Sequence, residues 1–454
     1  MKVVCLDAGG ATLKASVVVP GAAWTASMLA NHVANTSTNP SAVFMGQKLR
    51  ELEQQRAKLR YVRPVQRGYC VNWNIESELW THLMSSEMLD VNPTEYSLVA
   101  TVPLLAPAVV NETMDQVVFE ELGFQSYARV NAAECCVLSY SEFAEREFQE
   151  NLSVAKNAVK RSPGRERGNK TKAADPPTLP PVEDEDPLRF ATSSCHLVVD
   201  SGFSFTHVVP VIDGKVYLPG VRRINVGGKL LTNYLKEIVS YRQWNVMDDT
   251  PVINELKETL CYCSMDFEGD LRRYHTDRQQ RKHWVLPDYV HSFEGWCRED
   301  QVQEYTEDDE TPTEDQQSAN AHDDEQALEM GVEMVTVPEV LFNPSDIGIH
   351  QAGLAETIVQ AAEACPEELC DALYGNILLV GGNTKFKNFR QRLERDLRSL
   401  VSDDFEIGLH EPSDPILTAW QGCCSLAGSD ALSERIVTKQ EFEEHGSNIC
   451  LKRF

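Results

Sequence analysis

Two short stretches of this 454-residue chain share a design that could hold a phosphate. In Val3-Val4-Cys5-Leu6-Asp7-Ala8-Gly9-Gly10-Ala11-Thr12-Leu13-Lys14 an apolar run ends in an aspartate, followed by small residues. His196-Leu197-Val198-Val199-Asp200-Ser201-Gly202-Phe203-Ser204-Phe205-Thr206 repeats the pattern nearly two hundred residues later. Glycine at such a turn lets backbone N–H groups approach phosphate oxygens, and the aspartate can hold a metal ion or its water shell. A third turn, Ile377-Leu378-Leu379-Val380-Gly381-Gly382-Asn383-Thr384-Lys385-Phe386, precedes a helical stretch from Phe389 to Leu397. Strand, double glycine and helix together would present a helix N-terminus to an anion. One Asp-x-Gly turn says little, because such turns are common. Three of them point to a nucleotide cleft, and the repeat points to a duplicated domain facing it.

The apolar runs that carry these turns read as buried strands, and each Asp-x-Gly as the tight turn of a hairpin. The length suggests two to four structural units, and 42% hydrophobic with 24% charged residues suits a protein with a large core. A net charge of −27 argues against binding nucleic acid with the whole surface. The first residues meet an acid at Asp7, and no apolar run nears the roughly 20 residues that span a bilayer. The expectation is a soluble, intracellular protein. Its thirteen cysteines include no Cys-x-x-Cys pair, and several sit in apolar runs. They read as buried free thiols in a reducing compartment rather than zinc ligands or disulfides.

The charge is unevenly spread. Lys156 to Lys172 holds seven Lys/Arg against one acid, Glu166, and leads into a Pro-rich acidic stretch through Glu183-Asp184-Glu185-Asp186. Glu299 to Glu329 holds thirteen acids and no Lys or Arg, and without it the net charge would be −14. Both read as flexible insertions too poor in apolar residues to offset the entropy of ordering. The acidic tract reads first as a solvated loop and second as a histone-binding tract.

Over nearly its whole length the chain resembles the actin family. Asp7 to Lys14 and Asp200 to Pro210 look like its two phosphate loops, and Arg67-Gly68 with Asn72-Trp73 like the lead into a Trp-containing helix. Lys257 to Tyr262, Asp266-Phe267-Glu268, Pro338 to Pro344 and the closing Thr438 to Phe454 complete the frame. The resemblance implies an α/β, actin-like fold of two ribonuclease H-like lobes, with mixed five-stranded sheets around a nucleotide cleft. The first lobe would span 1–143, with an outer piece at 30–60 that is helical from Gln47 to Arg60, and would be completed by 415–454. The second would occupy 195–298 and 331–414, leaving 144–194 and 299–330 as insertions.

Carried over position by position, the resemblance puts Asp7, Gly9, Gly10, Lys14, Asp200, Gly202, Gly381 and Gly382 on the phosphate side. Lys257 and Glu258 fall on the base side, and Phe386 replaces an aromatic that flanks the base. Asp7 and Asp200 would hold a metal indirectly. His207 falls where a histidine helps order the attacking water, although by itself it reads as a hydrogen-bonded core histidine in an alternating strand. Four positions depart from the family: Gly10 stands for a serine, Phe203 for an aspartate of the metal's water shell, Cys135 for a water-orienting glutamine, and Ile416 for a lysine beside the base. The implied cofactor is ATP or ADP, with Mg2+ weakened by Phe203. No catalytic group remains besides His207, and hydrolysis should be negligible, because phosphoryl transfer to water depends on positioning and electrostatics.

The tracts Arg223 to Asn233 and Ser240-Tyr241-Arg242-Gln243 with Val246-Met247-Asp248 resemble a nuclear class of that family. Its members serve in a chromatin remodelling complex that exchanges a variant histone. The resemblance therefore implies a location in the nucleus, with the cytoplasm as a second compartment. The implied partners are a Snf2-type motor, AAA+ ATPases, a zinc-finger HIT subunit and histones or the nucleosome, with no membrane and no sequence-specific DNA binding. The competing readings are a polymerising cytoskeletal protein and, more remotely, a small-molecule kinase on the same superfold.

Overall fold

The apolar runs of the two repeats form central strands of two separate sheets. In the computed structural model, which describes residues 2–19, 21–36, 39–54, 59–160, 187–288, 292–298 and 326–454, Val3–Ala8 pairs antiparallel with Thr12–Val18 and parallel with Ser97–Val102. The first sheet runs Val437–Thr438, Ser126–Asn131, Ser97–Val102, Val3–Ala8, Thr12–Val18, Ser27–Ala30. The second runs Lys215–Val216, Thr206–Ile212, Cys195–Ser201, Ile377–Val380, Leu409–His410, with Arg222–Ile224 added beside Thr206–Ile212. Each sheet thus has six strands rather than the expected five. The surplus pieces, such as Val437–Thr438 and Lys215–Val216, are only two residues long and carry no apolar run that a sequence pattern could reveal.

Central strands buried on both faces are uniformly apolar, as parallel strands under helices must be. One face of the first sheet packs Val3, Cys5 and Val99 against Trp420, Cys423 and Cys424 of the helix Thr418–Ala427. The other face packs Leu6, Leu98 and Phe119 with Trp80, Phe442 and Cys450. The C-terminal stretch therefore returns to the first lobe. The helix Trp73–Met84 starts where the Asn72 side chain accepts a hydrogen bond from the Ile75 amide at 3.3 Å, an ordinary N-cap.

Several borders differ from expectation. Among the described residues of the outer piece only Gly46–Gln54 is helical; Leu59–Val62 is a strand that joins Val33–Thr36 and Asn39–Phe44 in a three-stranded sheet. Residues 144–160 continue the helix Ala132–Lys160, and the chain is helical again at Pro187–Thr192, so the insertion expected at 144–194 is narrower. The basic and Pro-rich part, 161–186, lies outside the described residues. The acidic tract lies outside them from 299 to 325, but Ala327–Met330, placed by its acidity in the same insertion, is a strand paired with Lys282–Val285. Leu328 and Met330 alternate into the core there, and that packing outweighs local composition. All thirteen cysteines are free and twelve are buried, Cys70 being half-buried. No helix among the described residues is long and apolar enough to cross a membrane.

Candidate nucleotide site

The two hairpins place their aspartates in matching registers. Asp7 pairs across its hairpin with Lys14, and Asp200 pairs with His207. Asp7 is fully engaged: Lys14 Nζ donates to Oδ2 at 2.7 Å, and Thr101 Oγ1 donates to Oδ1 at 2.7 Å. Asp200 is only partly exposed. Burial raises its carboxyl to about 6, helped by the negative charge of Asp7 and opposed by Lys14. The two aspartates and Lys14 thus form one electrostatic group at the mouth of both turns.

At Gly9, Gly10 and Gly381 neighbours leave no room for a side chain. A Cβ on Gly10 would lie 2.5 Å from Ser204 Oγ and 3.6 Å from Phe203 Cδ1, so the two turns touch. Gly381 has φ of +94°, and a Cβ there would lie 2.3 Å from the Ser201 carbonyl oxygen. Each of the first two turns is also fastened by an asparagine. Asn31 Nδ2 donates to the Gly9 carbonyl at 2.9 Å, and Asn383 Nδ2 donates to the Gly202 carbonyl at 2.8 Å. Asn383 reaches Ser201 Oγ as well, at 3.1 Å. Asn31 instead leans on Glu76, which accepts from Trp80 Nε1 at 2.9 Å and is pushed up to about 7 by burial.

The third turn differs from its sequence reading. Gly382–Lys385 is a short 3-10 turn, and the helix Phe389–Arg398 begins only after Asn388, so Gly381 and Gly382 do not sit at the N-terminus of a long helix. Gly381 and Gly382 still join the second turn, through the Asn383 contacts and the approach to Ser201.

The base-side residues diverge. Lys257 is buried and donates to Thr232 Oγ1 at 3.1 Å and Asn254 Oδ1 at 3.0 Å, whereas Glu258 is exposed and accepts from Asn254 Nδ2. Phe386 packs into the core of the second lobe. Ile416 Cδ1 lies 4.0 Å from where a Gly382 Cβ would be, giving an apolar flank where a lysine would add charge.

The hydrolysis positions are equally specific. Cys135 is packed in the first lobe's core with Cys5, Val99 and Cys423. His207 is buried, and its Nε2 has no hydrogen-bond partner, which does not match a hydrogen-bonded core histidine. Its ring lies 4.1 Å from that of Phe205, and burial with the nearby Arg223 guanidinium pushes it down to about 3, so it is neutral at physiological pH. Behind the turns, Arg223 ties the lobes together. It donates to Tyr69 Oη at 3.0 Å and to the Arg67 carbonyl at 2.8 Å, and stacks 4.6 Å from the Phe205 ring. Gly68 (φ +83°) is pressed so close to Phe205 that a Cβ there would overlap the ring.

Sequence reasoning missed Asn31 and Glu76 behind the first turn, Arg63, whose guanidinium lies 4.7 Å from the centre of the Phe203 ring, and the role of Arg223. Only Asn383, directly after the double glycine, carried a local signal.

Two sheets of like topology, meeting at paired Asp-x-Gly hairpins, define an actin-type nucleotide fold. The actin family model matches residues 1–454, and the chain belongs to that family. Similar proteins include Actin-related protein 6 of Drosophila melanogaster, 31% identical over 98% of this chain and 97% of its own length. Actin-related protein 6 of Oryza sativa subsp. indica is 36% identical over 86% of this chain and 85% of its own, and Actin-like protein ARP6 of Cryptococcus neoformans is 34% identical over all of this chain and 84% of its own.

Actins usually bind ATP or ADP with a divalent metal ion. The residues present fit the nucleotide: three glycine turns converge, and Gly202 and Gly382 have no neighbour closer than 3.6 Å to a Cβ position. Lys14 supplies a positive charge beside Gly9. The fit to a metal is poorer. Each Asp7 oxygen already accepts a hydrogen bond, and no group of three His, Cys, Asp or Glu that could bind a metal directly occurs among the described residues, so a metal would be held through its water shell.

Proposed function

We propose that this protein is a non-polymerising nuclear subunit that scaffolds an ATP-dependent chromatin remodeller exchanging a variant histone. A nucleotide held between the lobes would act as a structural wedge, with little or no turnover. One observation carries the low-turnover part. The position expected to hold a water-orienting amide is Cys135, a thiol packed in the core, and the metal-shell carboxylate is replaced by Phe203, whose ring lies under the Arg63 guanidinium at 4.7 Å. Neither group can orient water or a hydrated metal, and losing such preorganised groups removes most of what speeds phosphoryl transfer. The scaffold role rests on likeness to proteins named Actin-related protein 6 and on the tracts Arg223 to Asn233 and Ser240 to Asp248.

The test is affinity purification of the tagged full chain from nuclear extract, with mass spectrometry of the proteins that co-purify. A Snf2-type motor, AAA+ ATPases, a zinc-finger HIT protein and histones are expected. Recovery of cytoskeletal proteins, or pelleting above a critical concentration with ATP and magnesium, would overturn the reading.

A further inference from the structure

Two rings of the second phosphate turn each lie under a guanidinium. Arg63, which follows the strand Leu59–Val62 in the outer piece of the first lobe, has its guanidinium 4.7 Å from the centre of the Phe203 ring. Arg223, on the strand Arg222–Ile224 of the second lobe, lies 4.6 Å from the centre of the Phe205 ring and reaches across to Tyr69 Oη and the Arg67 carbonyl. The platform under Arg63 is fixed by its own lobe. The Gly228 amide donates to the Gly202 carbonyl at 3.0 Å, and the Lys229 amide donates to the Phe203 carbonyl at 2.8 Å. Phe203 Cδ1 also lies 3.6 Å from a Gly10 Cβ position, so Arg63 crosses between the lobes beside the point where the two turns touch.

The two crossings are not equally strong. Arg223 donates to the first lobe twice, at 3.0 and 2.8 Å, and Gly68 is pressed against Phe205 beside it. Arg63 donates only weakly, at 3.5 Å, and to the Asn31 carbonyl of its own lobe. No carboxylate pairs with it among the described residues, so the Phe203 ring is what ties it to the second lobe. A half-buried cation–π contact is weaker than two charge-assisted hydrogen bonds. The Arg223 crossing is therefore the lasting tie, and the Arg63 crossing is the one that yields first. Parting the lobes at this turn, as a nucleotide held between them leaves, breaks the Arg63–Phe203 contact. We propose that Arg63 and Phe203 form a releasable latch across the cleft that slows escape of the bound nucleotide. The latch regulates the site assigned above, and so rests on the cleft being a nucleotide site.

Release of a fluorescent ATP analogue from the loaded full-length protein, chased with excess unlabelled ATP in magnesium and in EDTA, tests it. Arg63→Met removes the charge and keeps the stem, and Phe203→Leu removes the ring and keeps apolar bulk. Each should speed release by about threefold to tenfold, the worth of a cation–π contact at a half-buried site. The double variant should release no faster than the quicker single variant, because both substitutions break the same contact. Phe203→Tyr, which keeps a ring, should stay within about twofold of wild type and guards against a folding defect. The accelerations should persist in EDTA, since the contact includes no metal. Single variants that release at the wild-type rate, or accelerations that multiply in the double variant, would overturn the latch while leaving the cleft intact. A wild-type protein that retains no nucleotide in either buffer would remove the cleft reading itself, and the latch with it.

Discussion

The two phosphate turns are the same hairpin with different chemistry at one register position. Opposite Asp7 stands Lys14, bonded to it at 2.7 Å; opposite Asp200 stands His207, a neutral imidazole with no partner on Nε2. The first carboxylate is therefore neutralised inside the protein, and the second is left to face the cleft with its proton affinity raised. The asparagine fasteners differ likewise. Asn383 leans on a serine, whereas Asn31 leans on Glu76, a carboxyl that titrates near neutrality. Duplication has supplied two equivalent scaffolds, but only the first is electrostatically closed. The second is open to whatever occupies the cleft.

The largest effect should come from breaking the closed side. Lys14→Met leaves Asp7 buried with only Thr101 as a donor and with Asp200 beside it. Removing one partner of a buried ion pair costs about 3–5 kcal/mol. Urea unfolding should show a loss of that size. A loss under about 1 kcal/mol would mean that the Asp7–Lys14 pair is not what holds the first hairpin.

Glu76 makes the first fastener sensitive to pH. Its carboxyl is raised from 4.5 to about 7, mainly by burial, with hydrogen bonds from Trp80 and Asn31 pulling it down. A raised carboxyl favours the folded state while it is protonated. The contribution is complete below the unfolded value near 4.5 and is lost as pH climbs through about 7. Linkage sets an upper limit of about 3 kcal/mol. Glu76→Gln should flatten the stability profile across this window and stabilise the protein at about pH 8 by up to that amount. An unchanged slope between about pH 5 and about pH 8 would assign the titration elsewhere, Asp115, raised to about 6, being the next buried carboxyl.

The contrast between the turns also marks what a sequence can reveal. The hairpins, the three glycine turns, the Asn72 cap and the Phe389 helix are local: apolar runs, small residues and helical periodicity lie within short windows. Arg63 on Phe203, Arg223 on Tyr69 and Asn31 on Gly9 join residues 22 to 154 positions apart and depend on how the lobes meet. No window of sequence contains both halves of such a contact. The family frame supplied the aspartates and glycines. It marked Phe203 as a departure, but it did not supply Arg63, Asn31 or Glu76, whose places follow from contacts between distant stretches of the chain.

A smaller effect is expected at Asp200. Its carboxyl rises from 3.8 to about 6, so ionised Asp200 weakens the fold as pH climbs through about 6, and the protonated form is favoured below. Asp200→Asn should stabilise the unliganded protein by about 1–2 kcal/mol near pH 7, a figure reduced from full linkage because the group is partly exposed. The gain should vanish below about pH 4, where the wild-type group is protonated in both states. If Asp200→Asn destabilises instead, the carboxylate has a cationic partner in solution, and the two turns are more alike than their side chains indicate.

The smallest effect should be at His207, and it bears most directly on the comparison. The ring is neutral, its Nε2 is unpartnered, and it rests on Phe205. His207→Gln forfeits that ring contact and should cost no more than about 1 kcal/mol. It should leave phosphate release from ATP at the wild-type background, since Cys135 and Phe203 stand where a water-orienting amide and a metal-shell carboxylate are expected. A residue that ordered the attacking water would cost about a hundredfold in release rate when replaced. Measurable wild-type release that falls by such a factor in His207→Gln would show that the second turn keeps a working hydrolytic half despite Phe203. Equal background release would leave His207 as the neutral counterpart of Lys14 and the second turn as a binding surface.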